Sequence, residues 1–461
     1  MRPMLAMAMA MAVVMACGVL TADAMRSAGT DSLDWQTCGD LGAECAALPV
    51  PLDWARPGGD RITVAVSRLT AADPARRIGT LFFNPGGPGG AATSYVRDFA
   101  STAFPADLLD RFDIVGVDPR GIGDSVPAIA CERPTADPNA TQFPRTPAEF
   151  DQLVAYNRDV AEGCRRATGP LIDHVDTVST ARDFEAVRIA LGDKQVSWLG
   201  VSYGTLLGAT YAHLYPGRVR AAVLDGAVDH TVGSRELAVD EARTTEDVFG
   251  RFADWCQSDQ TCALHGRDVA AEYRALLDRA PLPAAGFPDG ATAAQIGYAT
   301  YGKLTFPSEW SELAKDIDDA ATDAAAFAAT GTSSAAYRVI TCHDLPTAYV
   351  DYEELAARQR EVLALAPTTR GYVEGWDIQT GCLGWPIPPA NPWARTTGRG
   401  KSVLVVGGTH DPSTPHEWAV MMSSQLRGST LLTWDGVGHT GYFNDPDTQR
   451  REVDYLISGR R

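Results

Sequence analysis

The segment Trp198-Leu199-Gly200-Val201-Ser202-Tyr203-Gly204-Thr205 constrains this chain more than any other. It reads as a strand running into a turn of small residues with a serine at the apex. Gly200 and Gly204 flank Ser202 at a spacing that lets the backbone turn sharply with no Cβ in the way. Upstream, Lys194 to Leu199 is short and apolar enough for a buried strand. Downstream, Thr205 to Tyr215 has the small and apolar residues of a packed helix. Such a turn lifts a hydroxyl out of the sheet and sets the N–H groups of a helix start beside it, which makes Ser202 a candidate nucleophile. The competing reading is a glycine-rich strand–helix turn with an incidental serine.

The surroundings repeat the same rhythm. Residues 61–69 alternate, and Thr80 to Phe83 and Asp113 to Val117 are short apolar runs ending in Gly/Pro-rich turns. Asp176 to Leu191 carries apolar positions at helical spacing and stops at Gly192, and Val219 to Leu224 is another buried-strand pattern. Strands alternating with helices imply an α/β fold with a mostly parallel sheet covered on both faces. From about Thr231 the pattern changes: 235–280 and 308–365 are rich in Ala, Glu, Asp and Arg at helical periods, with 281–297 as a Pro/Ala/Gly-rich loop between them. Strand patterns return at Ser402 to Val406 and Ser429 to Thr433. The expected organisation is one α/β core (25–231 and 371–461) interrupted by a helical cap (232–370).

A nucleophilic serine needs a base to take its proton and an acid to orient that base. The returning strands offer both, each on the loop after a strand. Val403–Val406 leads to Gly407-Gly408-Thr409-His410-Asp411, and Leu431–Trp434 leads to Gly436-Val437-Gly438-His439, which nominates Asp411 as acid and His439 as base. His410 and His416 share the acid's own loop and read as structural. Asp225 and Asp229, after Val219–Leu224, are second choices for the acid. The third component would be a pair of N–H donors for a developing oxyanion. The loop Asn84-Pro85-Gly86-Gly87-Pro88-Gly89-Gly90 supplies one, from Gly87, and Tyr203 the other. A phosphate cradle is the alternative for this loop, but the lysine of such a motif is missing, and its prolines break the helix a dinucleotide site needs.

The bulk numbers narrow the setting. The chain has 461 residues, 45% of them apolar, enough to bury a large core. A net charge of −18 argues against a nucleic-acid partner. Arg2 is followed by an Ala/Met/Val-rich run to Leu20 and then Thr21-Ala22-Asp23-Ala24, which reads as a signal peptide over 1–24. Val14-Met15-Ala16-Cys17 is an imperfect lipidation box, so a lipoprotein cut before Cys17 is a variant of the same reading. The alternative, a membrane anchor, fits a short, alanine-rich run poorly, and no membrane span is expected in the mature chain. Nine cysteines leave an even set outside the leader: Cys38, Cys45, Cys131, Cys164, Cys256, Cys262, Cys342 and Cys382. They suggest disulfides, with sequential neighbours paired, and none has a paired zinc spacing. No metal or cofactor is called for, and the expected location is secreted or cell-envelope associated.

Asn84–Gly90, Asp113–Asp124, Gly200–Gly204, Leu224-Asp225-Gly226, Cys382–Pro386 and Gly407–Pro415 together resemble the α/β-hydrolase peptidases of the tripeptidyl-aminopeptidase and prolyl-iminopeptidase group, above all its exported actinobacterial branch. The resemblance spans nearly the whole mature chain and keeps the motifs in order. It implies an α/β-hydrolase fold with a helical cap, Ser202 as nucleophile, Asp411 and His439 as acid and base, and Gly87 with Tyr203 as oxyanion donors. One departure is Asn84-Pro85, where many relatives have His-Gly. The activity implied is an exported serine aminopeptidase acting on a peptide or small amide through an acyl-enzyme; an N-acyl amide hydrolase or esterase is the alternative, and a catalytically dead binding module a third reading. Reading a free amine requires carboxylates or carbonyls where the N-terminus docks. The insertion offers Glu309, Glu312, Asp316 and Asp344, with Trp310 as an apolar wall.

Overall fold

The strand Val196–Val201 is buried at every residue, the signature of a strand covered on both faces. It lies within a nine-stranded sheet. A computed structural model describes residues 32–134, 140–329, 334–400 and 402–459, so the expected leader 1–24 and its Cys17 lie outside the described residues. In chain order the strands are β1 (Gln36–Cys38), β2 (Ala43–Pro51), β3 (Arg61–Leu69), β4 (Gly79–Asn84), β5 (Phe112–Val117), β6 (Val196–Val201), β7 (Val219–Asp225), β8 (Val403–His410) and β9 (Thr430–Val437). Their spatial order is β1-β2-β3-β5-β4-β6-β7-β8-β9. The pairings from β1 to β3 and between β3 and β5 are antiparallel. All those from β5 to β9 are parallel, which gives the mostly parallel α/β sheet expected.

Strand alternation divides the core into two layers. On β4, Phe82 packs against Phe184 and Trp198 at centroid distances of 5.3 and 6.0 Å. Leu81 and Phe83 point the other way, into a cluster with Leu199, Val201, Phe104 and Tyr442. The helices that matter below are α1 (Pro147–Thr168), α2 (Thr177–Ala190), α3 (Tyr203–Leu214), α4 (Gly233–Ser258), α5 (Ala293–Leu304), α6 (Ala335–Asp344), α7 (Glu374–Gly381) and α8 (Pro446–Ser458). Asp176 starts α2 by accepting a hydrogen bond from the Ser179 N–H at 2.9 Å. Within the Asp113–Asp124 motif, Arg120 is fully buried and holds Asp183 of α2 through Nε (2.7 Å) and Nη2 (2.6 Å), so this arginine ties sheet to helix.

Between β7 and β8 runs the helical layer, with its own core of Phe249, Phe252, Tyr273, Ile296, Trp310 and Leu313. It differs from expectation in two places. The segment 281–297 is not simply a loop: Leu282–Ala284 pairs with Phe287–Ala291 as a hairpin, and α5 starts at Ala293. Most of the hairpin is exposed, so it has no apolar alternation to reveal it; Gly286, at φ +82°, makes the turn. Helices also continue past residue 370, because α7 packs on α4, where Gly375 lies so close that a Cβ would sit 2.9 Å from Leu237. The eight described cysteines pair with their sequential neighbours: Cys38–Cys45, Cys131–Cys164, Cys256–Cys262 and Cys342–Cys382. Among the described residues, no helix is long and apolar enough to cross a membrane.

Candidate active site

Ser202 sits between β6 and α3 at φ 57°, ψ −128°, a conformation that L-residues occupy only when their surroundings impose it. Those surroundings are identifiable. The Ser202 N–H donates to the Asp225 carbonyl at 2.9 Å, its own carbonyl accepts from Thr205 N (2.8 Å) and Thr205 Oγ1 (2.6 Å), and Val228 N donates to that same hydroxyl at 2.8 Å. The Asn84–Gly90 loop closes over the turn. A Cβ on Gly86 would lie 2.5 Å from the Val201 carbonyl oxygen and 2.9 Å from Ser202 Cβ, so only glycine allows this approach. Asn84 Oδ1 accepts from Gly86 N at 3.1 Å, and Gly87 follows at φ +106°. Tyr203 is the first residue of α3, and its N–H lies 3.2 Å from the same Gly86 Cβ position. The two expected oxyanion donors therefore belong to segments in direct contact.

Asp411 and His439, both buried, come together from the ends of β8 and β9. His439 Nδ1 lies 2.9 Å from Asp411 Oδ2 and 3.1 Å from Oδ1, so Nδ1–H donates to the carboxylate and Nε2 is left as the basic nitrogen. The carboxylate is held in turn by Ser413 N and Thr414 N at 2.9 Å and by Thr414 Oγ1 at 2.8 Å. Thr414 Oγ1 also lies 3.2 Å from His439 Nδ1. Burial alone would lower the imidazole pKa. The charge and hydrogen bond of Asp411, with further contributions from Asp225 and Glu374, outweigh it and hold the pKa above the ordinary histidine value. His439 Cε1 is 2.9 Å from where a Gly226 Cβ would stand, next to the Asp225 whose carbonyl holds Ser202. His439 and Ser202 thus share the carboxyl-end edge of the parallel strands.

The second-choice acids have other work. Asp225 receives the N–H groups of Gly441 (3.1 Å) and Tyr442 (2.7 Å), which anchors the turn after His439, and burial raises its pKa to about 6. Asp229 binds Thr231 N at 2.6 Å and Gln425 Nε2 at 2.5 Å. His410 pairs with Asp247 at 2.7 Å and His416 with Thr433 at 2.7 Å, in keeping with their structural reading.

The acids picked out in the insertion do not meet at the site. Glu312 and Asp316 both bind Lys303, at 2.7 and 2.5 Å, and Glu309 lies exposed at the end of a short 3-10 turn. Trp310 belongs to the cap core. Asp344 is buried behind Tyr203. Instead, the buried Glu241 of α4 and the half-buried Glu374 of α7 lie within electrostatic reach of Asp411 and His439, and Glu241 also feels the charge of Glu374. Glu374 accepts from Tyr337 (2.5 Å) and Tyr301 (3.4 Å), and the Tyr301 hydroxyl also meets Ser413 of the acid's loop at 2.5 Å. Glu241 accepts from Gly375 N at 2.7 Å. Burial raises both carboxyl pKa values, and the charge of Glu374 raises that of Glu241 further. Sequence reasoning missed this pair, along with Tyr301, Tyr337 and Thr414. Only Thr414 had a local signal, since it lies in the Gly407–Pro415 motif.

Comparison with known proteins agrees with this architecture. Residues 79–446 match the family model described as alpha/beta hydrolase fold. The chain is 33% identical over 452 residues to the serine protease Hip1 of Mycobacterium tuberculosis, covering 91% of this chain and 86% of that protein. It is 31% identical over 465 residues to a tripeptidyl aminopeptidase of Streptomyces lividans, covering 93% and 85%. Over 438 residues it is 34% identical to carboxylesterase B of M. tuberculosis, covering 87% and 81%. With sheet, strand order and relatives in accord, the chain belongs to the α/β-hydrolase fold family and is a serine hydrolase related to serine peptidases.

Proposed function

We propose that this chain is a serine aminopeptidase that releases short peptides or residues from free N-termini. In this reading His439 Nε2 takes the proton of Ser202 Oγ as the oxygen attacks the scissile carbonyl, while Asp411 holds the imidazole and stabilises its charged form. The N–H groups of Gly87 and Tyr203 receive the oxyanion, each such donor contributing about 2.7–4 kcal/mol in the transition state. His439 then protonates the leaving amine, and water repeats the sequence on the acyl-enzyme. The helical layer acts as a cap over this site.

One observation carries the choice of an aminopeptidase: Glu241, buried, and Glu374, half-buried, lie beside the proposed triad and are met by hydroxyls and a backbone N–H. Glu241 ionises only against its burial and the charge of Glu374, a penalty that a cation docked beside the two carboxylates would relieve. A peptide's α-ammonium is the cation such a hydrolase would meet. The esterase or N-acyl amide hydrolase reading is favoured by the similarity to carboxylesterase B. Turnover of Ala-, Ala-Ala- and Ala-Ala-Ala-p-nitroanilide, each with a free and an acetylated N-terminus, separates the two. At least one free-amine substrate should exceed its acetylated form by tenfold or more, and a preference for the acetylated form would overturn the aminopeptidase reading.

We further infer export, from the leader-like 1–24 and the four disulfides, which form and persist in oxidising compartments. Mass spectrometry of the mature N-terminus tests it: cleavage after Ala24 marks secretion, and a lipidated Cys17 marks an envelope lipoprotein.

A further inference from the structure

The proposed mechanism makes no use of the buried carboxylate of Asp344, at the C-terminal end of α6. Asp344 Oδ2 accepts from Thr177 Oγ1 at 2.7 Å, and Thr177 Oγ1 lies 2.6 Å from the Tyr203 hydroxyl. An ionised carboxylate only accepts, so Thr177 donates to Asp344 and its oxygen accepts from the Tyr203 hydroxyl. The chain of bonds therefore runs from Tyr203 to Thr177 to Asp344. Asp344 Oδ1 also takes Asn391 Nδ2 at 2.7 Å and Thr177 N at 3.1 Å, and its carbonyl meets His230 Nε2 at 2.6 Å.

We propose that Asp344, acting through Thr177 and the Tyr203 hydroxyl, is a positioning residue for the backbone N–H that Tyr203 offers to the oxyanion. This rests on the reading of Ser202 as nucleophile and of the Tyr203 N–H as oxyanion donor. Thr177 is the first residue of α2 and Tyr203 the first of α3, so the three side chains join two helix starts to one helix end. All three are buried, and no solvent competes for the bonds. The direction of the Tyr203 N–H depends on the peptide that follows Ser202, whose φ of 57° must be held by its surroundings. A phenol tethered at its far end fixes the residue on the helical side of that peptide. Burial and the neighbouring Asp176 carboxylate push the Asp344 pKa up to about 7, so a charge on this carboxylate is held against an electrostatic penalty. The same end of α6 is joined by Cys342 to Cys382, directly after α7 with its Glu374. The support behind the oxyanion site and the carboxylate pair thus share one frame.

The test uses p-nitrophenyl acetate turnover and fluorophosphonate labelling, with thermal unfolding followed for every variant. Tyr203→Phe and Thr177→Val, which cut the chain of bonds without touching the backbone donor, should lower kcat about tenfold with KM within about twofold. This is part of the roughly 10²–10³ lost when an oxyanion donor is removed outright. Thr177→Ser, which keeps the hydroxyl, should recover most of the rate. Asp344→Asn combined with Tyr203→Phe should be no slower than the slower single variant, because both act on one path. Multiplying losses in the double variant, or unchanged kcat in Tyr203→Phe and Thr177→Val, overturns the proposal. If Asp344→Asn fails to fold, Tyr203→Phe and the Thr177 pair decide the matter alone. A Ser202→Ala protein that still labels fully would instead refute the reading of the site itself, and the proposal with it.

Discussion

Replacing Glu374 by glutamine removes a charge while keeping the shape of the side chain. The carboxamide oxygen can still accept from Tyr337, 2.5 Å away in the native protein, so the helical layer should keep its fold. A hydrogen bond to a charged group contributes about 1.5–3 kcal/mol, which corresponds to roughly 10- to 150-fold in kcat/KM for a substrate whose ammonium docks there. The single variant should fall near the lower end. Without the negative neighbour that helps raise its pKa, Glu241 ionises more readily and takes over part of the attraction. The double variant Glu241→Gln/Glu374→Gln should approach the upper end. The assay compares kcat/KM on a free-amine peptide p-nitroanilide with that on its acetylated twin, which carries no ammonium and should change by less than about twofold. A fall shared equally by both substrates would mean that the pair supports the triad rather than the amine. No change on the free-amine substrate would mean that the ammonium docks elsewhere.

Other consequences can be checked on the same protein. Ser202→Ala should lower turnover by roughly 10⁴–10⁶-fold with the unfolding midpoint unchanged, and an equal collapse of folding would show a packing residue instead. The basic form of His439 is the neutral one and its pKa is raised above 6.5, so kcat/KM should rise with pH through a midpoint above 6.5. Asp411→Asn should move that midpoint down, since imidazolium loses its counter-charge, and an upward move would contradict the assignment. Gly226→Ala would put a Cβ 2.9 Å from His439 Cε1 at a backbone φ of +69°, so steady-state kinetics should show a kcat loss well beyond any loss of stability. The disulfides should rank by loop length in urea unfolding. Removing Cys342–Cys382, with a separation of 40, should cost about 4 kcal/mol, and removing Cys256–Cys262, with a separation of 6, about 2 kcal/mol. Equal losses would refute the chain-entropy account.

Much of the core was legible because its signals are local. A strand covered on both faces must be apolar at nearly every position, as β6 is, and a sharp turn needs small residues, as Gly200 and Gly204 supply. The loops after β8 and β9 were legible for the same reason, and the structure brings their Asp411 and His439 to 2.9 Å. The hairpin at 282–291 was not, because exposed strands carry no apolar period. Nor was the use of the acids. Glu312 on an amphipathic helix and Glu241 on another look alike in sequence, yet the first binds Lys303 at the surface and the second is buried against α7.

By itself, then, the sequence determined the alternation of strands and helices, the turn at Ser202, the order of the candidate acid and base, and the cysteines available for pairing. Tertiary structure alone decided which carboxylate faces His439, that Glu241 feels the charge of Glu374, and that Asp344 lies two hydrogen bonds from Tyr203. The division is physical. Backbone conformation and burial period are written over a few neighbouring residues, whereas the distance between charges far apart in the chain, and the desolvation that shifts their pKa values, exist only once the helices have packed.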